Sequence, residues 1–175
     1  MLPAHTASSI APFVGGDTDA SEAKEIASKE LQSASGVRRQ LYELQGSAAA
    51  LPQVNCPLQH SFIDGVYVRT IFIPAGTVIV GKIHKHSHAN ILSQGKVSVM
   101  TEEGGLEHLE GPVTMVSPAG CKRAVYTHTD TTWTTIHRTD ETDLEKIEDY
   151  VIAKTYEEYE QFRLGESLKA LEVAP

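Results

Sequence analysis

The middle of the chain alternates short apolar runs with polar turn signals. Between about Leu58 and His137, nine runs rich in Val, Ile, Thr and aromatic residues predict β-strands: LQHSF, VYVRTIFI, VIVGKIH, ANILS, KVSVMT, LEHLE, VTMVS, AVYTH and TWTTIH. The segments between them carry the Gly, Pro or Asp that a chain reversal needs. So many short strands with such short connections predict a mainly β fold, either an antiparallel barrel or a double-sheet jelly roll.

The N-terminal flank of this region follows a different pattern. Residues 1–18 are rich in Ala, Pro, Ser, Thr and Gly without an apolar period, which predicts an extended arm. Residues 19–54 contain two segments of strong helix formers, split by Ser35 and Gly36, and then a linker. Their apolar stripes are narrow, so we expect these short helices to dock on another surface rather than to build a core.

The C-terminal flank, residues 139–175, is acidic and helix-prone. Asp140 or Thr142 is a candidate N-cap for a first helix, because their side-chain oxygens can accept bonds from unpaired backbone amides. A second short helix is predicted from Tyr156 to Leu164. The sequence therefore predicts a barrel with helices on both sides of it.

Length and composition narrow the classes of protein. A chain of 175 residues suits one domain with appendages, and a formal charge of -8 argues against a nucleic-acid partner. The apolar runs stop far short of the roughly 20 residues that cross a bilayer, so no membrane partner is expected. The first residues lack the pattern of a secretory signal, and only Cys56 and Cys121 could form a disulfide. We therefore expect a protein that is not secreted.

The run GKIHKHSH, residues 81–88, places four candidate site residues at every second position. Lys82, His84, His86 and His88 would point to one side of a strand. The spacing of Gly76, Lys82-Ile83-His84, His88 and Gly95 is similar to the first motif of the cupins, in which a Gly is followed by His-X-His, a Glu and a second Gly.

The segment from Gly111 to Thr127 resembles the second cupin motif. Gly111, Pro118-Ala119-Gly120, Arg123 and Thr127 stand where that motif has Gly, Pro-X-Gly, His and Asn, with one extra residue after Gly111. The resemblance covers about residues 55–138. It implies a small barrel with the motif side chains pointing into its mouth or interior.

The resemblance places Lys82, His84, His88 and Arg123 at the four ligand positions of the metal-dependent members. Charged Lys and Arg offer no free lone pair and repel a divalent ion, so a four-ligand metal centre is not expected. One remaining interpretation is a metal site of His84, His86 and His88, since neutral imidazole suits Zn, Fe, Ni or Cu, with Mn as a further candidate ion.

Two other interpretations of the same residues stay open. In the first, Lys82 and Arg123 bind a carboxylate or phosphate, as an Arg fork and a Lys charge commonly do. In the second, the site is purely structural, and the two cations pair with acidic residues such as Glu102, Glu107 or Glu110.

Other polar residues receive simpler interpretations. His128 and His137 flank the hairpin THTDTTWTTIH and are interpreted as rim residues of the barrel. Cys121 is interpreted as an inert thiol, because no His and Asp pattern marks it as a nucleophile. No pair of carboxylates stands at the motif positions, so no catalytic residue is predicted.

The altered motif and the long flanks together favour a non-catalytic structural role. Residues 81–105 and 118–137 also resemble cupin-like proteins encoded by tailed bacteriophages. The prediction is a capsid cement or decoration protein in the virion or host cytoplasm, without a cofactor, forming a homo-oligomer and contacting capsid or other particle subunits. The alternative is a metal-dependent or anion-binding cupin that acts on a small molecule and uses a divalent ion.

Overall fold

The computed structural model describes residues 11–14, 19–32, 34 and 36–172. Within these ranges there are four helices: α1 Ala20–Glu30, α2 Gly36–Ala49, α3 Leu144–Val151 and α4 Tyr156–Glu172. The same ranges contain twelve strands: β1 Ala11–Val14, β2 Leu58–Ile63, β3 Val66–Ile73, β4 Thr77–Val80, β5 Ile83–His84, β6 His88–Gln94, β7 Lys96–Thr101, β8 Gly105–Glu110, β9 Val113–Ser117, β10 Arg123–Thr127, β11 Thr131–Arg138 and β12 Ile152–Ala153. The predicted fold class, a mainly β jelly roll with helices at both ends, is confirmed.

Ten of these strands form two five-stranded sheets with the apolar core between them. One sheet has the order β1-β4-β10-β7-β8 and the other β2-β3-β11-β6-β9. All pairings in the two sheets are antiparallel except that of β1 with β4. The main core cluster draws residues from both sheets, among them Ile71, Ile79, Leu92, Val99, Val125 and Trp133.

The strands turn alternate residues inward, which is how polar residues reach the barrel interior. On β11, Thr131, Trp133 and His137 are all buried, and Arg138 at the end of the strand is exposed. On β6, His88 and Asn90 are buried on the same face of the strand as the apolar Leu92. A strand that places Leu and Trp in the core therefore also places His and Asn in the same enclosed space.

The prediction of one continuous strand through VIVGKIH is wrong. The segment divides into β4 and β5, and the chain then bends at Lys85 and His86 before β6 begins at His88. The alternation of side chains cannot continue through a bend. The four predicted site residues of this segment therefore do not lie on one face of a strand; they are Lys82, His84, His86 and His88. This difference decides which histidines share the interior.

The N-terminal helices pack on the outer side of the barrel. Leu41 of α2 is fully buried and belongs to a cluster with Val80 of β4 and Ala124 of β10. Residues 11–14 of the predicted arm form β1, which pairs in parallel with β4. The remainder of the predicted arm lies outside the described residues.

The C-terminal segment closes over the barrel through two helices. Asp143 is the N-cap of α3: its carboxylate accepts from the backbone amides of Glu145 (3.0 Å) and Lys146 (3.3 Å). The proposed caps Asp140 and Thr142 were therefore wrong, because the residue directly before the first turn has the required geometry. Helix α4 extends beyond the predicted end at Leu164, to Glu172.

Glycine is required where α4 meets the barrel. Gly120 has a φ of +82°, and a Cβ added there would lie 2.6 Å from the ring of Tyr159 in α4. Lys85 adds an ion pair of 2.9 Å with Glu158. The turn before β10 and the C-terminal helix are thus held in direct contact. No helix in the described ranges has both the length and the apolar character to cross a membrane.

Candidate functional site

The end of the barrel beneath α3 contains a cavity of about 150 Å³. Its walls come from both sheets, and α3 contributes Leu144, Ile147, Glu148 and Val151. The polar side chains lining it are Tyr67, Arg69, Lys82, His84, His88, Asn90, Arg123, Thr135, His137 and Glu148. Ile71, Ile73, Ile79, Val125 and Trp133 form its apolar part. A small, mostly apolar cavity with a few converging polar groups has the character of a ligand pocket.

Three histidines meet at this cavity. His84 comes from β5, His88 from β6 and His137 from β11, and their potential ligand atoms lie within 4.8 Å of one another. The ring centroids are 4.0 Å apart for His84 and His88, 4.8 Å for His88 and His137, and 5.2 Å for His84 and His137. We call these three residues the histidine cluster.

Burial keeps the histidine cluster uncharged at neutral pH. Loss of hydration lowers the pKa of His88 to about 4 and that of His137 to about 3. For His84, burial is again the largest cause, and the neighbouring imidazoles and the charges of Arg123 and Arg69 lower its pKa further. Each neutral ring has one nitrogen with a free lone pair, which is the form that binds a metal ion.

Hydrogen bonding orients one of these rings, that of His88. His88 Nδ1 lies 3.3 Å from the His86 carbonyl oxygen, to which it donates, so its Nε2 carries the lone pair. Such a bond from the second nitrogen is the usual companion of a metal-ligating histidine. His84 Nδ1 is buried without a hydrogen-bond partner. A buried, unsatisfied nitrogen of this kind is costly unless a ligand completes it.

The positive charge of Lys82 in the cavity is balanced by a counter-ion from the C-terminal segment. Its ammonium group forms an ion pair of 2.5 Å with Glu148 of α3, and both residues line the cavity. The predicted structural alternative placed the partner of Lys82 among Glu102, Glu107 and Glu110. That choice of partner was wrong, because the acidic residue comes from the C-terminal segment rather than from the barrel.

Arg123 is held by hydrogen bonds within the barrel. Its guanidinium donates to Ser117 Oγ, and it lies 5.6 Å from the Trp133 ring centre. Asn90 donates to the same Ser117 hydroxyl at 2.7 Å and accepts from Trp133 Nε1 at 3.0 Å. These bonds fix the position of Arg123 and leave several of its five N–H donors for other partners.

Two of the predicted acidic partners of Arg123, Glu102 and Glu110, form ion pairs elsewhere. Glu102 pairs with Arg38 at 2.9 Å, and Glu110 pairs with Lys96 at 3.0 Å. Among the described residues, no carboxylate lies within ion-pair distance of Arg123 or of Arg69. Both guanidinium groups line the cavity without a counter-ion from the described part of the chain.

His86 was predicted to share a metal site with His84 and His88, and the structure places it elsewhere. Its ring packs 4.7 Å from that of Tyr150 and 5.2 Å from that of Phe162, between the two C-terminal helices. The bend at residues 85–86 turns this side chain away from the interior. Of the predicted ligand-pocket residues, Lys82, His84, His88 and Arg123 all line the cavity, whereas His86 does not.

Two residues of the site were missed by sequence reasoning. His137 was interpreted as a rim residue, but it is only 5 % exposed and completes the histidine cluster. Its position two residues after Thr135 and four after Trp133 was the available signal, since those residues share one face of β11. The second missed residue is Arg69, which shares one face of β3 with Tyr67 and Ile71 and lines the cavity with them. His128, the other predicted rim residue, is exposed and bonds to Ser98 at 2.6 Å.

Comparisons with known proteins found solved structures of low sequence identity to this chain. Similar solved structures include ectoine synthase from P. lautus (11 % identity, 59 % of this chain and 78 % of that chain covered, TM-score 0.48). A further one is an RmlC-like cupin family protein with a double-stranded β-helix fold from Methanocaldococcus jannaschii (11 % identity, 49 % of this chain and 82 % of that chain covered, TM-score 0.42). Another is the Cnp3 cupin domain of Schizosaccharomyces pombe (17 % identity, 51 % of this chain and 71 % of that chain covered, TM-score 0.42). No protein-family model matches the sequence, and no curated protein matches it. The fold of the described residues is a jelly-roll barrel of two five-stranded sheets.

Proposed function

We propose that this protein binds a small molecule in the barrel cavity, next to a divalent metal ion held by His84, His88 and His137. The observation that carries the proposal is the convergence of three uncharged imidazoles on one wall of the cavity, with His88 and His137 buried and His84 half-buried. Three histidine ligands that leave positions open are typical of catalytic rather than structural sites.

The residues present fit such an ion. Neutral imidazole is a ligand for Zn, Fe, Ni and Cu, and His84 Nδ1 lacks any other partner. A metal ion bound there would act as a Lewis acid toward an oxygen-bearing ligand. The protein residues would contribute a dry cavity, with Asn90 and Ser117 fixing Arg123 beside it.

Metal content tests this proposal directly. Purified protein incubated with Zn²⁺ or Ni²⁺ and then desalted should retain about one ion per chain, measured by elemental analysis. His137→Ala and His88→Ala should each weaken binding at least about tenfold, because a two-imidazole site has lost a third of its ligands. His86→Ala is the matched control and should retain the ion.

Two outcomes would contradict the proposal. One is a wild-type protein that retains no ion under conditions where it is folded by circular dichroism. The other is loss of the ion in His86→Ala but not in His137→Ala, which would place the ion at the site predicted from alternation instead of at the histidine cluster.

A structural role in a phage-type particle is the second candidate function. It is supported by an apolar stripe on α4, formed by Leu164, Leu168 and Leu171, which are 58 %, 61 % and 72 % exposed. These residues are spaced to share one helix face. Ion pairs Glu160–Arg163 and Glu166–Lys169 offset part of the negative charge of the helix next to this stripe, which favours packing against a second copy of this chain.

The solution mass tests this second candidate. A protein built for assembly should form a defined oligomer, and changing Leu164, Leu168 and Leu171 together to Ser should shift it to monomer in sedimentation equilibrium. Changing Leu106, which is 63 % exposed on β8, to Ser is the control and should leave the mass unchanged. A monomeric wild-type chain would count against a role in a particle.

A further inference from the structure

Two positive charges in the cavity lack a counter-ion, and this points to the chemistry of the ligand. Arg69 and Arg123 both line the cavity, and both are half-buried. Arginine keeps its charge at any physiological pH, and a partly buried charge is costly unless a partner compensates it. The only carboxylate lining the cavity within the described residues, that of Glu148, is paired with Lys82. A bound anion would supply the compensating negative charge that the described residues do not.

The two guanidinium groups reach the cavity from different sheets. Arg69 is on β3 and pairs across the sheet with Thr135 of β11, whereas Arg123 is on β10 of the facing sheet. Both line the same cavity as the three residues of the histidine cluster. An anion placed between the sheets could therefore accept hydrogen bonds from both arginines while another of its atoms faces the imidazoles.

The remaining surface of the cavity limits what the rest of that anion can be. Ile71, Ile79, Val125 and Trp133 form an apolar wall that offers no partner for hydroxyl groups or for a second negative charge. The volume of about 150 Å³ is that of a cavity which holds benzene in another protein. A phosphate or a sugar would leave its polar atoms unpaired against this wall.

We propose, building on the proposed small-molecule function, that the cavity binds a small monocarboxylate with an apolar body, whose carboxylate is held by Arg69 and Arg123. The carboxylate accepts charge-assisted hydrogen bonds from the two guanidinium groups, and Ser117 and Asn90 keep Arg123 in place. The apolar body lies against Trp133 and the aliphatic side chains. The site is thus specific for one negative charge next to a hydrocarbon group of about six heavy atoms.

Matched pairs of probes test this without any substitution. Benzoate and 3-methylbutanoate should bind wild-type protein in isothermal titration calorimetry, while the uncharged analogues benzamide and 3-methylbutanamide should bind at least about tenfold more weakly. Inorganic phosphate should also bind at least about tenfold more weakly than benzoate. Equal affinity for benzoate and benzamide, or a preference for phosphate, would overturn the proposal.

Substitutions then assign the binding to the two arginines. Arg69→Gln and Arg123→Gln should each weaken benzoate binding about tenfold or more, since each loses a charge-assisted contact. Arg138→Gln is the control: it is on the exposed end of β11 and should bind benzoate as the wild type does. Undiminished binding in both cavity variants, each shown to be folded by circular dichroism, would refute the assignment.

Titrating both metal-free and Zn²⁺-loaded protein separates this proposal from the one on which it builds. Benzoate binding by protein that retains no metal ion would leave the carboxylate site standing and reject the metal site. Metal retention without binding of benzoate or 3-methylbutanoate would leave the metal site standing and reject the carboxylate site.

Discussion

Metal-free protein should lose about 4 kcal/mol of its free energy of unfolding between pH 7.5 and pH 5. Burial lowers the pKa of His88 to about 4 and that of His137 to about 3 in the folded state, whereas an exposed histidine in the unfolded chain titrates near 6.5. Between those values the unfolded chain binds more protons than the folded one, so stability falls as the pH falls. Well above pH 6.5 these rings are uncharged in both states, and this contribution to the pH dependence disappears.

Urea unfolding in the presence of a chelator measures this loss. The His88→Gln/His137→Gln double variant should lose far less between the two pH values, because its amides do not titrate. His108→Gln/His128→Gln removes two exposed histidines and should keep the wild-type pH dependence. If the free energy of unfolding of the wild type were the same at pH 5 and pH 7.5, the histidine cluster would not be the buried, uncharged group described above.

Leu41→Ala should reduce the stability of the whole barrel by about 2–5 kcal/mol. Leu41 lies on α2 but has no exposed surface, because it packs against Val80 and Ala124 on the barrel sheet. Removing its side chain leaves a cavity at the junction between the N-terminal helices and the strands. The cost should appear in the unfolding of both, if they form one cooperative unit.

The fluorescence of Trp133, the single tryptophan, reports on the barrel interior, while far-ultraviolet circular dichroism reports largely on the helices. Both signals should shift together to lower urea concentration in Leu41→Ala. Leu51→Ala is the matched control: Leu51 is 52 % exposed and its removal should cost no more than about 0.5 kcal/mol. A fluorescence transition that stays unchanged while the helical signal shifts would mean that the helices unfold independently.

The strands and part of the site could be predicted from local sequence. Runs of β-branched and aromatic residues marked the barrel strands, since each run has to cover a pleated, half-buried surface. The motif spacing brought Lys82, His84, His88 and Arg123 to one cavity, and all four line it. These features depend on short-range spacing, which a single sequence contains.

The remaining features of the site depend on contacts between distant parts of the chain. His137 joins the cluster because β11 pairs with both β3 and β6, and that register cannot be read from spacing alone. Glu148 reaches Lys82 only because α3 folds back over the barrel. His86 was misplaced for a local reason, since two residues of irregular backbone were enough to turn its side chain to the other side.

The position of β11 in its sheet has a consequence for folding during synthesis. This strand is the last of the barrel to leave the ribosome, yet it occupies the middle of its sheet, between β3 and β6. A nascent chain that lacks it has neither His137 nor a finished cavity. The histidine cluster can therefore form only after long-range strand pairing, which is slow, and a prematurely terminated polypeptide would lack the proposed binding site.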